Sequence, residues 1–318
     1  STQNIRRIIM KKVLTLALLT ISFILTGCGN TNNSTDDSTA ETTRAKTSFT
    51  GEYIVDADYV KEHLDSIILI DARGEDAAKK GTIKEAVPMA WQYLADVENG
   101  ASGDENWGLV LAPKKLAERL GDKGIAKDKE VVLFASAQEG WGDDGRIAWE
   151  LLAAGYQDVK MVDGGFSALK EAGLKTNKTG TELKPVDVNI EAINQDHLIK
   201  TDELKADYDD YKIVDVRADE EYDGEVLYGE AQGGHLPGAI HVKYTDLFNK
   251  NGTLKSNDQL TKLFEDAGLS KNDKIVTYCT AGIRSAYTQL VMDMCGFKNV
   301  KNYDGSFYRW AKVADVEK

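Results

Sequence analysis

The sequence predicts an α/β protein made of two copies of one unit, each a mainly parallel sheet flanked by helices. Three observations lead there. Short β-branched runs alternate with helical patterns, the runs recur at a fixed offset, and the chain is long enough for two domains. At 318 residues, with 42% apolar and 29% charged residues, the composition is globular. Two domains of about 130 residues each bury enough apolar surface to fold unaided.

The repeat is legible in four places. Ile67-Ile68-Leu69-Ile70-Asp71-Ala72-Arg73 parallels Lys212-Ile213-Val214-Asp215-Val216-Arg217. Gly81-Thr82-Ile83 parallels Gly234-His235-Leu236, and Val131-Val132-Leu133-Phe134 parallels Ile275-Val276-Thr277-Tyr278. Asp163-Gly164-Gly165-Phe166 parallels Asp304-Gly305-Ser306-Phe307. The strand pairs lie 144 residues apart and the last pair 141, which is duplication of a whole domain rather than a short repeat. Ile213 to Val216 and Ile275 to Tyr278 read as buried strands. Leu260 to Ala267 and Ser285 to Met294 have helical spacing, the latter with Ala286, Leu290, Val291 and Met294 on one face. Strand–helix alternation implies a parallel sheet covered on both faces, with ligands held where strand C-termini meet helix N-termini. The boundaries that follow are 49–176 for the first copy and 188–318 for the second. Thr176 to Pro185 is polar and separates the copies, giving a linker at 177–187.

Ahead of the repeat the chain reads as an address. Met10-Lys11-Lys12, an apolar run from Val13 to Leu25, then Thr26-Gly27-Cys28 make a secretory signal at residues 1–28. The run is shorter than the ~20 residues a membrane span needs. Residues 29–48 are rich in Asn, Thr, Ser and Asp and read as a flexible tether. Leu25-Thr26-Gly27-Cys28 resembles the bacterial lipobox. That resemblance implies cleavage before Cys28, lipid on the Cys28 thiol, and an extracytoplasmic protein anchored to a bacterial cell membrane. Several acyl chains anchor firmly where one binds only marginally.

The formal charge of −13 becomes −17 when Arg6, Arg7, Lys11 and Lys12 leave with residues 1–27. Such a field argues against nucleic acid as a partner and against docking on anionic lipid by charge. Three cysteines, Cys28, Cys279 and Cys295, are too few for a disulfide scaffold.

Cys279 is the candidate nucleophile. It directly follows the strand ending at Tyr278, and Thr280-Ala281-Gly282-Ile283-Arg284-Ser285 leads into a helix. Amides at a helix N-terminus lack intrahelical partners, and a loop curling round the sulfur aims them inward. The helix dipole and Arg284 add positive potential, and Gly282 allows the backbone angles a tight loop needs. These features favour the thiolate, the reactive form. Cys295, beside Gly296 at the helix end, reads as packing. His235 and the Asp215–Arg217 pair read as structural, and His63, His197 and His241 have no metal-ligand company.

Cys279-Thr280-Ala281-Gly282-Ile283-Arg284-Ser285 resembles the active-site loop of the rhodanese family, a Cys-x-x-Gly-x-Arg pattern. Asp215-Val216-Arg217, Glu221-Tyr222 and Gly234-His235-Leu236-Pro237-Gly238-Ala239 match further signatures of that family, over roughly residues 50–316. The resemblance implies two tandem rhodanese-like domains, the first inactive, and a sulfurtransferase that needs no metal or organic cofactor. Cys279 takes a sulfane sulfur from a small anionic donor such as thiosulfate, and a thiol or cyanide accepts it. Thr280, Ala281, Gly282, Ile283 and Arg284 form the binding loop. Thiosulfate-specific tandem rhodaneses carry cations just after the cysteine, and mercaptopyruvate enzymes carry Gly-Ser-Gly. Thr280 and Ala281 match neither, which leaves the donor open. Related phosphatases use Cys-x5-Arg, one residue longer than the Cys279–Arg284 spacing. A non-catalytic persulfide carrier or redox-sensing lipoprotein is the alternative that the same loop allows.

In the first copy, counting from the strand sets Ala135 opposite Cys279, and counting back from Gly155 sets Gln138 there. Neither is a thiol. Glu139, Asp143 and Asp144 in this loop oppose a thiolate and repel an anion. Trp91, Trp107 and Trp141 either wall a cleft between the copies or pack in the core.

Overall fold

The computed structural model describes residues 47–318. The signal segment, Cys28 and all but the last two residues of the tether lie outside the described residues. In the first half the strands are β1 (Ile54–Val55), β2 (Ile68–Asp71), β3 (Thr82–Ile83), β4 (Ala86–Pro88), β5 (Val131–Phe134), β6 (Val159–Val162) and β7 (Thr176–Asn177). Its helices are α1 (Ala57–His63), α2 (Glu75–Ala78), α3 (Pro113–Asp122), α4 (Asp143–Ala153) and α5 (Gly165–Glu171). The second half adds β8 (Lys212–Asp215), β9 (Ile240–His241), β10 (Ile275–Tyr278) and β11 (Val300–Asn302). Its helices are α6 (Thr201–Ala206), α7 (Asp219–Tyr222), α8 (Asn257–Asp266), α9 (Arg284–Met294) and α10 (Ser306–Val313).

Both main sheets are parallel throughout. The first runs β1-β6-β5-β2-β4 and the second β11-β10-β8-β9. A parallel bridge from Leu198 to Asn302 stands at the edge that β1 fills in the first sheet. Register repeats as well: Phe134 lies opposite Asp71, and Tyr278 opposite Asp215. β2, β5 and β10 are buried at every position, as strands covered on both faces must be. One apolar cluster runs through both halves, from Leu133 and Ile147 to Ile283 and Leu290, and a separate cluster covers the far face of each sheet.

One expectation needs correction: α9 is not amphipathic, since Arg284 to Asp293 are all buried, the helix being sandwiched between its own sheet and α4. A single apolar face therefore does not describe it. The polar stretch from Thr176, between the two halves, lies along the first. β7 pairs antiparallel with β3, Thr181 N–H donates to Ala86 O, Val186 N–H to Gly121 O and Asn194 N–H to Ala153 O. The backbone groups of this extended segment find partners on the first half, so its polar side chains face outward without leaving it loose.

Helices α4 and α9 are the repeat's equivalent helices, and they meet directly. A Cβ on Gly145 would lie 2.5 Å from Tyr287 Cα, and one on Gly142 2.9 Å from Tyr287 Cβ. Tyr244 from the second half adds a hydrogen bond to Ala137 O at 2.9 Å. Gly145→Ala forces the helices apart, at about 1–3 kcal/mol for overpacking. The expected outcome is a fall in Tm of about 2–8 °C in a thermal melt. An unchanged Tm would mean that the helices separate without cost.

Candidate active site

The duplicated strands carry a duplicated brace at their C-terminal ends. Arg217 pairs with Asp215 at 2.7 Å, both fully buried, and Nη2 donates to Gly234 O. Tyr278 OH donates to Asp215 Oδ2 and accepts from Leu236 N–H at 3.0 Å. In the first half Arg73 pairs with Asp71 at 2.7 Å and donates to Gly81 O, while Thr82 takes the tyrosine's place on the carboxylate. Each arginine stacks on a phenylalanine, Phe307 or Phe166. The structural reading of Asp215–Arg217 holds. His235 likewise lies flat against Tyr222, with Nδ1 on Tyr222 O at 2.9 Å.

Cys279 leaves β10 at the end of this brace and is 2% exposed. Its sulfur accepts from Gly282 N–H at 3.2 Å and from the Ser285 hydroxyl at 3.5 Å. Gly282 has φ of +82°, and a Cβ there would meet Asp304 Cα at 2.6 Å, so only glycine turns the loop here. Burial pushes the thiol up. The Arg284 guanidinium, the Ser285 side chain and the backbone amides of Ser285 and Ala281 outweigh it and hold the group below its ordinary value. Cys295 is the opposite case: burial pushes it up to about 11, as for a packed thiol.

Arg284 does not point at a ligand. Its two terminal nitrogens bind both oxygens of buried Glu221, at 2.8 and 2.9 Å, and Thr280 Oγ1 at 2.9 Å. Thr280 in turn donates to Glu221 at 2.5 Å. Burial raises the Glu221 carboxyl, and Arg284, Thr280 and the Ala218 amide together more than reverse this, leaving it below the usual range. The expected positive potential at the loop therefore acts on the sulfur, while three of the guanidinium's donors are held by Glu221 and Thr280.

Cys279, Thr280, Ala281, Ile283 and Arg284 line one cavity of about 280 Å³. Gly282 is set behind it, with its N–H on the sulfur. The remaining wall comes largely from the first half: Trp91, Gln92, Trp107, Trp141 and Asp143, joined by Tyr228 and Tyr308. The three tryptophans thus wall the cleft. Trp107 meets Trp91 and Tyr308 edge-on, and Trp141 meets Tyr228 edge-on while covering Arg284.

Several functional residues escaped the sequence. Arg146, fully buried on α4, donates to Ala281 O at 3.3 Å and Gly282 O at 3.2 Å, crossing from one half to the loop of the other. Its Nε pairs with Glu150 at 2.7 Å. Burial nevertheless pushes Glu150 up to about 7. Ser306 accepts from Cys279 N–H at 3.2 Å and donates to Tyr303 O at 2.7 Å. It adopts φ of +50° where the first half has Gly165 at +58°. The Gly-to-Ser difference between the copies was the available signal. In the first half Phe166 N–H donates to Ala135 O, as Phe307 N–H does to Cys279 O. Ala135 is therefore the residue equivalent to Cys279, and Gln138 is not. Among the described residues no cluster of three or more His, Cys, Asp or Glu could hold a metal ion.

The rhodanese-like domain family matches the chain twice, over residues 56–172 and 200–313. A Mycobacterium leprae protein provisionally named a thiosulfate sulfurtransferase is 29% identical over 83% of this chain and 96% of its own. The sulfur carrier protein TtuD of Thermus thermophilus is 31% identical, over 83% and 95%. The crystal structure of the 3-mercaptopyruvate sulfotransferase SseA of Escherichia coli superposes with a TM-score of 0.69 at 26% identity, covering 81% of this chain and 99% of that one. Two sheets of one topology, one cysteine-bearing loop and these matches make the chain a member of the rhodanese-like family, with two such domains in tandem.

Proposed function

We propose that the protein is a sulfurtransferase in which Cys279 carries the sulfur as a persulfide. The observation that carries this reading is a thiol almost removed from water and still held below its ordinary value. Burial alone would silence it, so the loop is arranged to keep an anion on that atom. In the first step the Cys279 thiolate attacks the sulfane sulfur of a donor such as thiosulfate. An S–S bond forms, the donor's own S–S bond breaks, and the leaving group, sulfite in that case, departs with the electron pair. In the second step a thiol or cyanide attacks the outer sulfur, and the pair returns to Cys279. The Gly282 amide and Ser285 hydroxyl support the negative sulfur, while Arg146 and Ser306 fix the peptides around it. A persulfide carrier without turnover is the second reading, favoured by the likeness to the Thermus carrier. Turnover with thiosulfate and cyanide separates the two.

Cys279→Ser removes the nucleophile with little change of volume. Sulfur transfer is expected to vanish while the circular dichroism spectrum and Tm stay the same. Turnover above a few per cent of wild type would place the sulfur on another atom.

Arg284→Ala removes the charge that favours the thiolate, so the Cys279 alkylation profile shifts to higher pH. kcat/KM falls about tenfold or more, since the Glu221 carboxylate is also left unpaired. Arg284→Lys restores the charge but not the two-pronged grip on Glu221, and recovers part of the loss. Alkylation rates against pH and kcat/KM in both variants are the measurements. Values within twofold of wild type would assign the thiolate's support to the loop amides alone.

We further propose that Cys28 anchors the protein by lipid on the outer side of a bacterial membrane. The basis is the segment Lys11 to Cys28 read above. Cys28→Ala is expected to give soluble protein or an uncleaved precursor in membrane fractionation with intact-mass analysis. A correctly cleaved form that still needs detergent would contradict the anchor.

A further inference from the structure

A donor must place its leaving group outward of Cys279 Sγ, in the cleft, because loop and sheet fill every other side. Thiosulfate asks that space to hold a sulfite dianion. The cleft is poorly equipped for one. Its guanidinium, Arg284, is already bound to both oxygens of Glu221. Arg146 lies behind the loop with its donors on Glu150, Gly108 and loop carbonyls. No lysine lines the cavity, and Thr280 and Ala281 bring no charge. The charge that does line it beside Arg284 is the carboxylate of Asp143, from the first half. Burial pushes Asp143 up to about 6, partly offset by the amides of Asp143 and Trp141. The rest of the wall is aromatic, and 280 Å³ exceeds the roughly 150 Å³ that suffices for benzene in an apolar cavity.

Resting on the sulfur-transfer reading above, we propose that the cleft selects the protonated, neutral form of a hydropersulfide bearing an apolar or aromatic group, and that Asp143 discriminates against anionic donors. The thiolate attacks the outer sulfur of R–S–SH in its protonated form. Cys279–S–SH forms, the donor's S–S bond breaks, and R–S⁻ leaves with the electron pair, so no outside oxidant or reductant is needed. The group R rests against Trp107, Trp91 and Tyr308.

The test compares benzyl hydropersulfide with its 4-sulfonate, which differ in charge and share the reacting bond, and with thiosulfate. kcat/KM is measured with cyanide as acceptor, and persulfide on Cys279 by intact mass. In wild type the benzyl donor, which carries one negative charge fewer than its sulfonate, is expected to exceed the sulfonate and thiosulfate about tenfold or more. Asp143→Asn is expected to narrow both gaps about tenfold, and Trp107→Ala to lower kcat/KM for the benzyl donor more than for thiosulfate. Equal or better use of the anionic donors by wild type, or donor ratios in Asp143→Asn that stay within twofold of the wild-type ratios, overturns the inference while sulfur transfer stands. Failure of all three donors to load Cys279 overturns both.

Discussion

Helices α4 and α9 approach so closely at Gly145 and Tyr287 that no side chain fits between them, and the geometry of the cleft follows from that approach. It brings Arg146 within reach of the carbonyls of Ala281 and Gly282. A carbonyl held outward turns its peptide so that the next amide faces inward, and the Gly282 amide is the one on the sulfur. The half without a thiol thus supports the half that has one, through a charged group it buries and pairs with Glu150. The same contact carries Trp141 and Asp143 to the mouth of the cleft.

The two copies separate what the fold requires from what the chemistry requires. The Asp–Arg brace is present in both, at the same strand ends and with the same stacking on phenylalanine. It belongs to the fold. The differences gather round one atom: Ala135 for Cys279, Gly165 for Ser306. A serine at φ of +50° stores strain of about 1–3 kcal/mol that a glycine avoids. The compensation is its hydroxyl, which fills the otherwise open position beside the Cys279 amide.

Local order was the legible part of the sequence. Strand β10, the cysteine after it and the glycine in the loop are neighbours in the chain, so pattern and spacing identify them. The 144-residue offset exposes the duplication because both copies preserve their buried strands. Contacts between distant segments left no such trace. One face of α9 is expected from its period, but the sheet on one side and α4 on the other bury it all round. Trp91, Trp107 and Trp141 read equally as core or cleft, since the tyrosines that close the wall with Trp107 and Trp141 come from the other half of the chain. Arg284 reads as a free cation because Glu221 lies 63 residues away.

The size of the cavity has a kinetic meaning. At about 280 Å³, in front of a single sulfur atom, it gives donor and acceptor one shared chamber. For the proposed chemistry, the spent donor must vacate before the acceptor can approach the outer sulfur. Donor and acceptor then compete for one chamber, each slowing the reaction when in excess. Initial rates at varied concentrations of both form the parallel double-reciprocal lines of a ping-pong enzyme, bending upward where one partner crowds out the other.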